Sequence, residues 1–381
     1  MSIYTDIGQV YVKVGVLIPV NSQNKQILDK YNILGFKYID NNSIITSINI
    51  NNNFYSLILF KLNLSIDKET YNESEDSKFI SYICNNNIVN TIYIKKSFIL
   101  NSEVCNSLLS VIFSYNNTKI NVIQVDQRSI DLTIYSIEFL NNLKNKYIFK
   151  LPDINLRQIQ TVGKLKKLSC KDKLYYQINT LSNSNINNNN CLQYPYIIAN
   201  IIEGSSIYLV KDKYNYKRLG GSSFGATTFW SLAQLSCNYT CPEQAINDAL
   251  QGNTQDIDLS IKDIFGGIYD TFDLPEDLIA SSFGKVKKIK NIKELDKKDI
   301  SRSLMTLFCL CNGQIMSLLA MQENIKNIVL VGNPFTVLEF QQMIQSTVSF
   351  VSKSKVGLCF IEYSAYLNIL GMIYNYEFNL K

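Results

Sequence analysis

The sequence predicts an α/β protein of two lobes, each of which opens with two strands joined by a tight turn and continues with helices. The segment from Val10 to Val20 alternates and is rich in β-branched residues, which predicts a strand. A short strand from Ile3 to Asp6 is expected to pair with it across a turn at Gly8. A second unit of the same kind, YPYIIANIIEGSSIYLV, occupies residues 194–210 and turns near Gly204. This repetition predicts a duplicated fold.

The remaining elements follow from short apolar runs and from helical periodicity. Further strands are predicted at Ile120–Val125 and Ile328–Val331, and helices at Thr227–Leu235, Cys241–Leu250 and Ser301–Met321.

An Asn-rich tract separates two regions of different character. Residues 182–190 (SNSNINNNN) cannot bury apolar surface, so they predict a flexible surface insertion. The expected domain bounds are 1–160 for the N-terminal lobe, 161–190 for a connecting segment and 191–381 for the C-terminal lobe.

Composition excludes several classes of chemistry. The chain has no histidine, which removes imidazole as a base or metal ligand and with it the usual hydrolytic triads. Its nine cysteines show neither a disulfide framework nor a zinc spacing, so reduced, buried thiols are expected. Phosphoryl transfer suits this composition, because it depends mainly on positioning, metal and electrostatics.

Charge and hydropathy predict neither a nucleic-acid partner nor a membrane. The net charge is +5, and the basic cluster at 285–298 is mixed in sign and lacks aromatic residues, so nucleic-acid binding is not expected. We found no run of about eighteen apolar residues and no secretory signal at the N-terminus, which predicts no membrane span and a cytoplasmic location.

A Gly/Ser segment introduces the predicted site. Residues 220–232 (GGSSFGATTFWSL) place small residues before an apolar helical run. Such a turn can direct several backbone N–H groups at an anion, although Gly/Ser loops are also common structural connectors.

The block from Tyr194 to Val286 closely resembles the eukaryotic-type (type II) pantothenate kinases. It contains, in the family's order, a Tyr-Pro-led strand, NYKRL, the Gly/Ser loop, DIFGG and ASSFG. Weaker similarity covers 6–13, 331–335 and 360–371, and little is seen between about 20 and 190. The resemblance implies two ribonuclease-H-like lobes of the actin-like ATPase superfamily, with a nucleotide cleft between them. It also implies ATP-dependent phosphorylation of pantothenate, with ATP and Mg²⁺ as cofactors.

The resemblance assigns roles to individual positions. Nucleotide-binding positions carried over from the family are Asp6, which also helps to hold magnesium, Gly8, Lys13, Ser223, Gly225, Gly332 and Asn333. Arg218 matches the arginine that holds the pantothenate carboxylate and the reacting end, and Ile279 and Ala280 match a wall of the pantothenate pocket.

Several of these positions depart from the family pattern. Gln9 and Val10 replace a Gly-Thr pair in the first phosphate turn. Ala226 and Thr227 replace glycines in the second phosphate loop, which crowds it. Glu203 stands where the family has a small hydroxyl residue beside the substrate. Glu203 is interpreted as a relocated base, as a surface side chain or as a residue that disables the pocket, and disablement is favoured.

The general base is assigned to Glu138, which follows the aromatic Tyr135. The segment from Asp131 to Thr133 then stands where the family has a triple-glycine turn. A different gap placement leaves no carboxylate at this position, and the sequence does not choose between the two.

Two hypotheses follow. The first is an active pantothenate kinase that makes 4′-phosphopantothenate, the entry step of coenzyme A synthesis. The second is a catalytically impaired subunit that serves as scaffold or regulator for an active paralogue. A sugar or acetate kinase of the same fold is disfavoured by the ordered block. The resemblance also implies that the chain forms a homodimer or a heterodimer with a paralogue. It further implies coenzyme A or acyl-coenzyme A as a candidate feedback ligand.

Overall fold

The computed structural model describes residues 2–7, 11–19, 43–50, 53–63, 91–96, 121–143, 147–151, 192–267, 274–291, 294–332 and 337–378. The chain forms two compact units: unit 1 comprises 1–147 and 365–381, and unit 2 comprises 148–364. The Asn-rich tract lies outside the described residues. The units differ from the predicted domain bounds at both boundaries: residues 148–190 belong to unit 2, and residues 365–381 belong to unit 1.

The strands of unit 1 form one mixed sheet. They are β1 (Ser2–Ile7), β2 (Tyr11–Pro19), β3 (Ser43–Ile50), β4 (Asn53–Asn63), β5 (Thr91–Lys96) and β6 (Asn121–Gln124). Their spatial order is β3-β4-β2-β1-β5-β6. The β1–β2 and β2–β4 pairs are antiparallel, whereas β5 and β6 run parallel to β1.

The strands of unit 2 form a second sheet and a small two-stranded one. They are β7 (Ile148–Phe149), β8 (Tyr196–Ile201), β9 (Ser205–Val210), β10 (Tyr216–Ser222), β11 (Leu259–Ser260), β12 (Ile279–Ser281), β13 (Asn327–Val331) and β14 (Gly357–Ile361). The large sheet has the order β10-β9-β8-β13-β14-β7, and β11 pairs with β12. Here β8, β9 and β10 are antiparallel neighbours, and β13 and β14 run parallel to β8.

Both large sheets therefore share one five-strand pattern, in which a three-stranded antiparallel meander is extended by two strands parallel to its first. In chain order this is 3-2-1-4-5, the arrangement of a ribonuclease-H-like lobe, with one extra edge strand in each unit. This repetition confirms the predicted duplicated α/β fold. The predicted inter-lobe nucleotide cleft stays a prediction.

The described helices confirm the predicted helical segments and add others. They are α1 (Ser129–Asn142), α2 (Ala226–Cys237), α3 (Pro242–Ala249), α4 (Ile261–Phe265), α5 (Lys297–Gln322), α6 (Leu338–Ser352) and α7 (Leu367–Ile373), the last continued by a π-helix (Tyr374–Phe378). The core of unit 2 is centred on Phe229, Phe308 and Phe340, whose ring centroids lie 5.6–5.9 Å apart. This aromatic cluster holds α2, α5 and α6 together.

Helix α5 is long and apolar enough to cross a membrane, judged by its length and composition alone. Half of the apolar window is buried in the structure, and the helix packs against α2, α3 and α6. These contacts are those of a core helix.

Helix α7 explains why the C-terminal residues join unit 1. It packs against α1, and Gly371 lies so close to the backbone of Leu132 that an added Cβ would overlap the Leu132 carbonyl oxygen. The glycine thus permits the close approach of the two helices.

Candidate active site

The candidate site lies at one end of the β8–β9–β10 meander, where the turn 202–204 meets the loop that leads from β10 into α2. An open pocket of about 430 Å³ occupies this junction. It is lined by Asn200, Ile202, Glu203, Gly204, Ser205, Ser206, Arg218, Gly221, Ser222 and Ser223. The structure thereby brings together three predicted site residues, Arg218, Ser223 and Glu203.

Two glycines, Gly225 and Gly204, allow the turn and the loop to touch, and a third, Gly221, makes room beside β9 and Arg218. A Cβ on Gly225 would lie 2.5 Å from the Gly204 carbonyl oxygen and would also overlap that of Glu203. A Cβ on Gly204 would lie 2.8 Å from the Ser222 carbonyl oxygen. A Cβ on Gly221 would lie 2.8 Å from Nη2 of Arg218. Gly225 therefore has a packing role that the sequence alone did not indicate.

Side-chain hydroxyls fix the conformation of the loop. Ser205 Oγ accepts a hydrogen bond from the Ser222 N–H (3.0 Å), and Ser222 Oγ accepts one from the Phe224 N–H (3.0 Å). Thr228 Oγ1 donates to the Ser223 carbonyl (2.9 Å) and accepts from the Gly225 N–H (3.4 Å). These bonds hold the loop in place before any ligand arrives.

Not every N–H group of the loop is available for an anion. The Thr227 N–H donates to the Ile202 carbonyl at 3.1 Å. Within the part of the chain that the structure describes, the N–H groups of Ser223 and Ala226 have no protein acceptor. Both lie at the N-terminus of the twelve-residue helix α2. The helix dipole adds partial positive charge at this end, so the two N–H groups can bind an anion.

The pocket contains one basic and one acidic residue. Arg218 and Glu203 are both exposed, and neither forms an ion pair with any described residue. An arginine without a carboxylate partner can bind a carboxylate or phosphate of a ligand through two parallel hydrogen bonds. The carboxylate of Glu203 opposes this effect, because its negative charge disfavours binding of an anionic ligand nearby.

The pocket also contains a buried acceptor that the sequence did not single out. Oδ1 of Asn200 is buried and has no hydrogen-bond partner among the described residues. The signals in the sequence were an asparagine within an otherwise apolar strand, YIIANI, and its match to the first residue of the family's Asn-Ile-Gly-Ser-Gly turn. Buried polar atoms are normally paired, so this atom is a candidate ligand contact.

Other predicted residues of unit 2 lie outside this pocket lining. Gly332 is buried and directly follows β13. Val331, the last residue of β13, lies in register with Asn200, so Gly332 lies at the same end of the sheet as the pocket. Asn333 lies outside the described residues. Ile279 is half-buried and Ala280 is exposed on β12, and neither is among the residues that line the pocket.

The segment that follows β12 is held by a buried carboxylate. Oδ1 of Asp258 accepts a hydrogen bond from the Phe283 N–H at 2.8 Å. Phe283 adopts a left-handed conformation, with φ of 58°. Burial raises the pKa of Asp258, and the Phe283 N–H partly offsets this rise. The carboxylate therefore stabilises an unusual backbone turn within ASSFG.

Two of the nucleotide-binding residues predicted in unit 1, Asp6 and Lys13, lie towards one end of its sheet. Asp6 and Lys13 lie in register on β1 and β2, and Asp6 also lies in register with Lys95 on β5. Lys95, which the sequence did not single out, is buried and donates to the Gln127 carbonyl. Gly8 and Gln9 lie outside the described residues.

The structure changes the interpretation of the general base. Asp131 and Thr133 are helical residues of α1, because Arg128 caps the helix and its N–H binds the Asp131 carboxylate at 3.1 Å. The turn between β6 and α1 is instead formed by residues 125–128. Glu138 lies nine residues beyond Ser129, about 13 Å along the helix. The predicted turn at 131–133 is therefore wrong, and Glu138 as base stays a prediction.

Known proteins resemble the second half of the chain. The Fumble family model matches residues 158–375, which is more than half of the chain. Pantothenate kinase of Schizosaccharomyces pombe is 33% identical over 195 residues, which cover 50% of this chain and 48% of the relative. The 4′-phosphopantetheine phosphatase of mouse is 31% identical over 183 residues, covering 47% and 22%. Pantothenate kinase 2 of Arabidopsis thaliana is 32% identical over 193 residues, covering 48% and 21%.

The chain spans about half or less of the length of these curated relatives. Among solved structures, glucokinase of Balamuthia mandrillaris bound to glucose matches with a TM-score of 0.37 and 10% identity, covering 98% of this chain and 92% of that one. MreB5 of Spiroplasma citri bound to ADP matches with a TM-score of 0.34, 10% identity and coverages of 98% and 95%. Similarity at this level supports no conclusion on mechanism. The family match does decide membership: this chain belongs to the Fumble family, that of the eukaryotic pantothenate kinases.

Proposed function

We propose that this chain is a pantothenate kinase, which transfers the γ-phosphoryl group of ATP to the primary hydroxyl of pantothenate. One observation carries the proposal: a single pocket is lined by Arg218 and Ser223, and among the described residues neither the Arg218 guanidinium nor the Ser223 N–H has a protein acceptor; the N–H of Ala226, equally without one there, follows at the start of α2. The guanidinium suits a carboxylate and the N–H groups suit phosphate oxygens. Relatives named as pantothenate kinases support phosphoryl transfer as the reaction class.

Arg218 is proposed to bind the carboxylic acid and hold its reacting end in place. The N–H groups of Ser223 and Ala226 are proposed to bind phosphate oxygens of ATP, where the N-terminus of α2 stabilises negative charge. Holding both reactants supplies much of the rate acceleration in phosphoryl transfer, because the protein makes few covalent contributions. A proton must leave the substrate hydroxyl, and Glu203 and Glu138 are the two proposed acceptors.

Asp6 is the proposed magnesium ligand. Magnesium usually takes one or two protein carboxylates and otherwise binds phosphates and water, so a single aspartate at the end of β1 fits this role. Lys13 and Lys95, in register on either side of Asp6, add positive charge for phosphates at the same sheet end. The ion would neutralise charge on the transferred phosphoryl group.

A second function is favoured by Glu203. An ionised carboxylate that lines the same pocket as Arg218 disfavours a second anion, which is the property expected of a catalytically impaired subunit. In addition, one relative of comparable identity is named as a phosphatase, so membership does not by itself assign kinase activity. Such a subunit would act as scaffold or regulator for an active paralogue. A homodimer or paralogue heterodimer, a cytoplasmic location and coenzyme A feedback are proposed on family membership alone.

The test is phosphorylation of radiolabelled pantothenate by the purified chain, alone and mixed with an active paralogue. Arg218→Ala is expected to lower kcat/KM roughly 10- to 150-fold, the range for a lost hydrogen bond to a charged group. The control is Lys211→Ala, which removes an exposed charge at the opposite end of the β9–β10 hairpin and should change nothing.

Glu203→Ser separates the two functions. A rise in rate supports the impaired-subunit hypothesis, whereas a fall in kcat, with loss of the acidic limb of the pH profile, supports Glu203 as the base. Absence of turnover in both settings, without any thermal shift on adding ATP, would exclude both functions.

A further inference from the structure

Asn200 lies where a strand residue should be apolar. Its neighbours Ile198, Ala199 and Ile201 on β8 are fully buried, and β8 is flanked by β9 on one side and β13 on the other. Asparagine is disfavoured in strands, and burying an amide without a partner costs free energy. A residue that weakens the fold at this position is expected to serve the site.

The position of Asn200 places its side chain at the pocket. The residue lines the cavity, and its register partners are Ser206 on β9, also a lining residue, and Val331 on β13. Oδ1 is buried and has no donor among the described residues. An acceptor of this kind needs a donor, none is present among the described residues, and a ligand in the cavity can supply one.

Asn200 and Arg218 together define the chemistry of the ligand. Arg218 requires an anionic group, and Oδ1 of Asn200 requires a hydroxyl or an amide N–H. We infer that Asn200 is a specificity-determining residue whose Oδ1 accepts a hydrogen bond from the secondary hydroxyl or the amide N–H of the acid held by Arg218. The inference rests on the proposed function for the identity of that acid.

Calorimetry of pantothenate binding tests this bond separately from catalysis. Asn200→Ala is expected to raise the Kd about 10-fold, the effect of one lost hydrogen bond to a desolvated partner. Asn200→Asp should weaken binding further, because it adds a carboxylate opposite an anionic ligand. The control is Asn215→Ala, an exposed asparagine in the turn at the far end of the β9–β10 hairpin, which should bind as the unmodified chain does.

Two analogues identify the donor: one lacks the secondary hydroxyl and the other is methylated on the amide nitrogen. The analogue that lacks the true donor should bind the unmodified chain about 10-fold more weakly than pantothenate, yet bind Asn200→Ala as pantothenate does. The measurements on the unmodified chain apply even if Asn200→Ala does not fold.

Three results would overturn the inference. They are an unchanged Kd for folded Asn200→Ala, an equal weakening for pantothenate and both analogues, and no pantothenate binding by the unmodified chain. Binding without phosphoryl transfer, alone or with a paralogue, refutes the kinase proposal but leaves the role of Asn200 supported.

Discussion

Gly225→Ala tests whether the pocket depends on close contact between the turn 202–204 and the loop that enters α2. The φ of Gly225 is −119°, which alanine adopts without strain, so any cost is steric. An added Cβ would lie 2.5 Å from the Gly204 carbonyl oxygen, whereas ordinary contact begins at 3.4 Å. The turn must therefore move by about 1 Å, and overpacking of this kind costs about 1–3 kcal/mol.

The expected result is a loss of about 2 kcal/mol, which corresponds to a fall in Tm of roughly 4–8 °C for a domain of this size. Pantothenate binding should weaken as well, since Glu203 and Gly204 line the pocket. Urea unfolding followed by circular dichroism gives the stability change, and calorimetry gives the binding change.

Two other glycines provide matched controls. Gly267 has open space around its Cβ position, so Gly267→Ala should change stability by less than about 0.5 kcal/mol. Gly266 has equal space but a φ of 79°, so Gly266→Ala should cost about 1 kcal/mol through backbone strain alone. Equal urea midpoints for Gly225→Ala and Gly267→Ala would refute the steric argument.

Two further predictions concern ionisable groups. Lys285 Nζ lies 2.7 Å from Oδ2 of Asp263 and, together with Ser260, holds the pKa of that carboxyl below its ordinary range. Because the folded pKa is lowered, the ionised carboxylate stabilises the protein above the unfolded pKa of about 3.9, and this stabilisation is lost on acidification. In Asp263→Asn, the urea midpoint should therefore fall less between pH 5 and pH 3 than in the unmodified chain. An equal fall in both proteins would contradict this. Burial raises the pKa of Cys359 to about 11, so at pH 8 maleimide should label the half-exposed Cys241 and spare Cys359 in the native chain, as read by peptide mass spectrometry; equal labelling would show that Cys359 is accessible.

Local patterns in the sequence determined most of the regular structure of the described residues. The strand pairs at β1–β2 and β8–β9 and the helices α2, α3 and α5 were predicted from alternation, turn residues and helical periodicity. These signals are local, because side-chain burial within one strand or helix is set by its own period. The Gly/Ser segment before α2 was likewise identified from neighbouring residues, whereas Arg218 was identified through the family resemblance.

Tertiary structure decided which of these residues meet. Register across three strands places Asp6 between Lys13 and Lys95, although up to 89 positions separate them in the sequence. Packing of α7 on α1 assigns the C-terminus to unit 1, and the cap at Arg128 makes the predicted 131–133 turn helical. The unpaired acceptor of Asn200 became visible only when its strand was enclosed by neighbours, because burial and hydrogen-bond partners come from distant segments that no local pattern encodes.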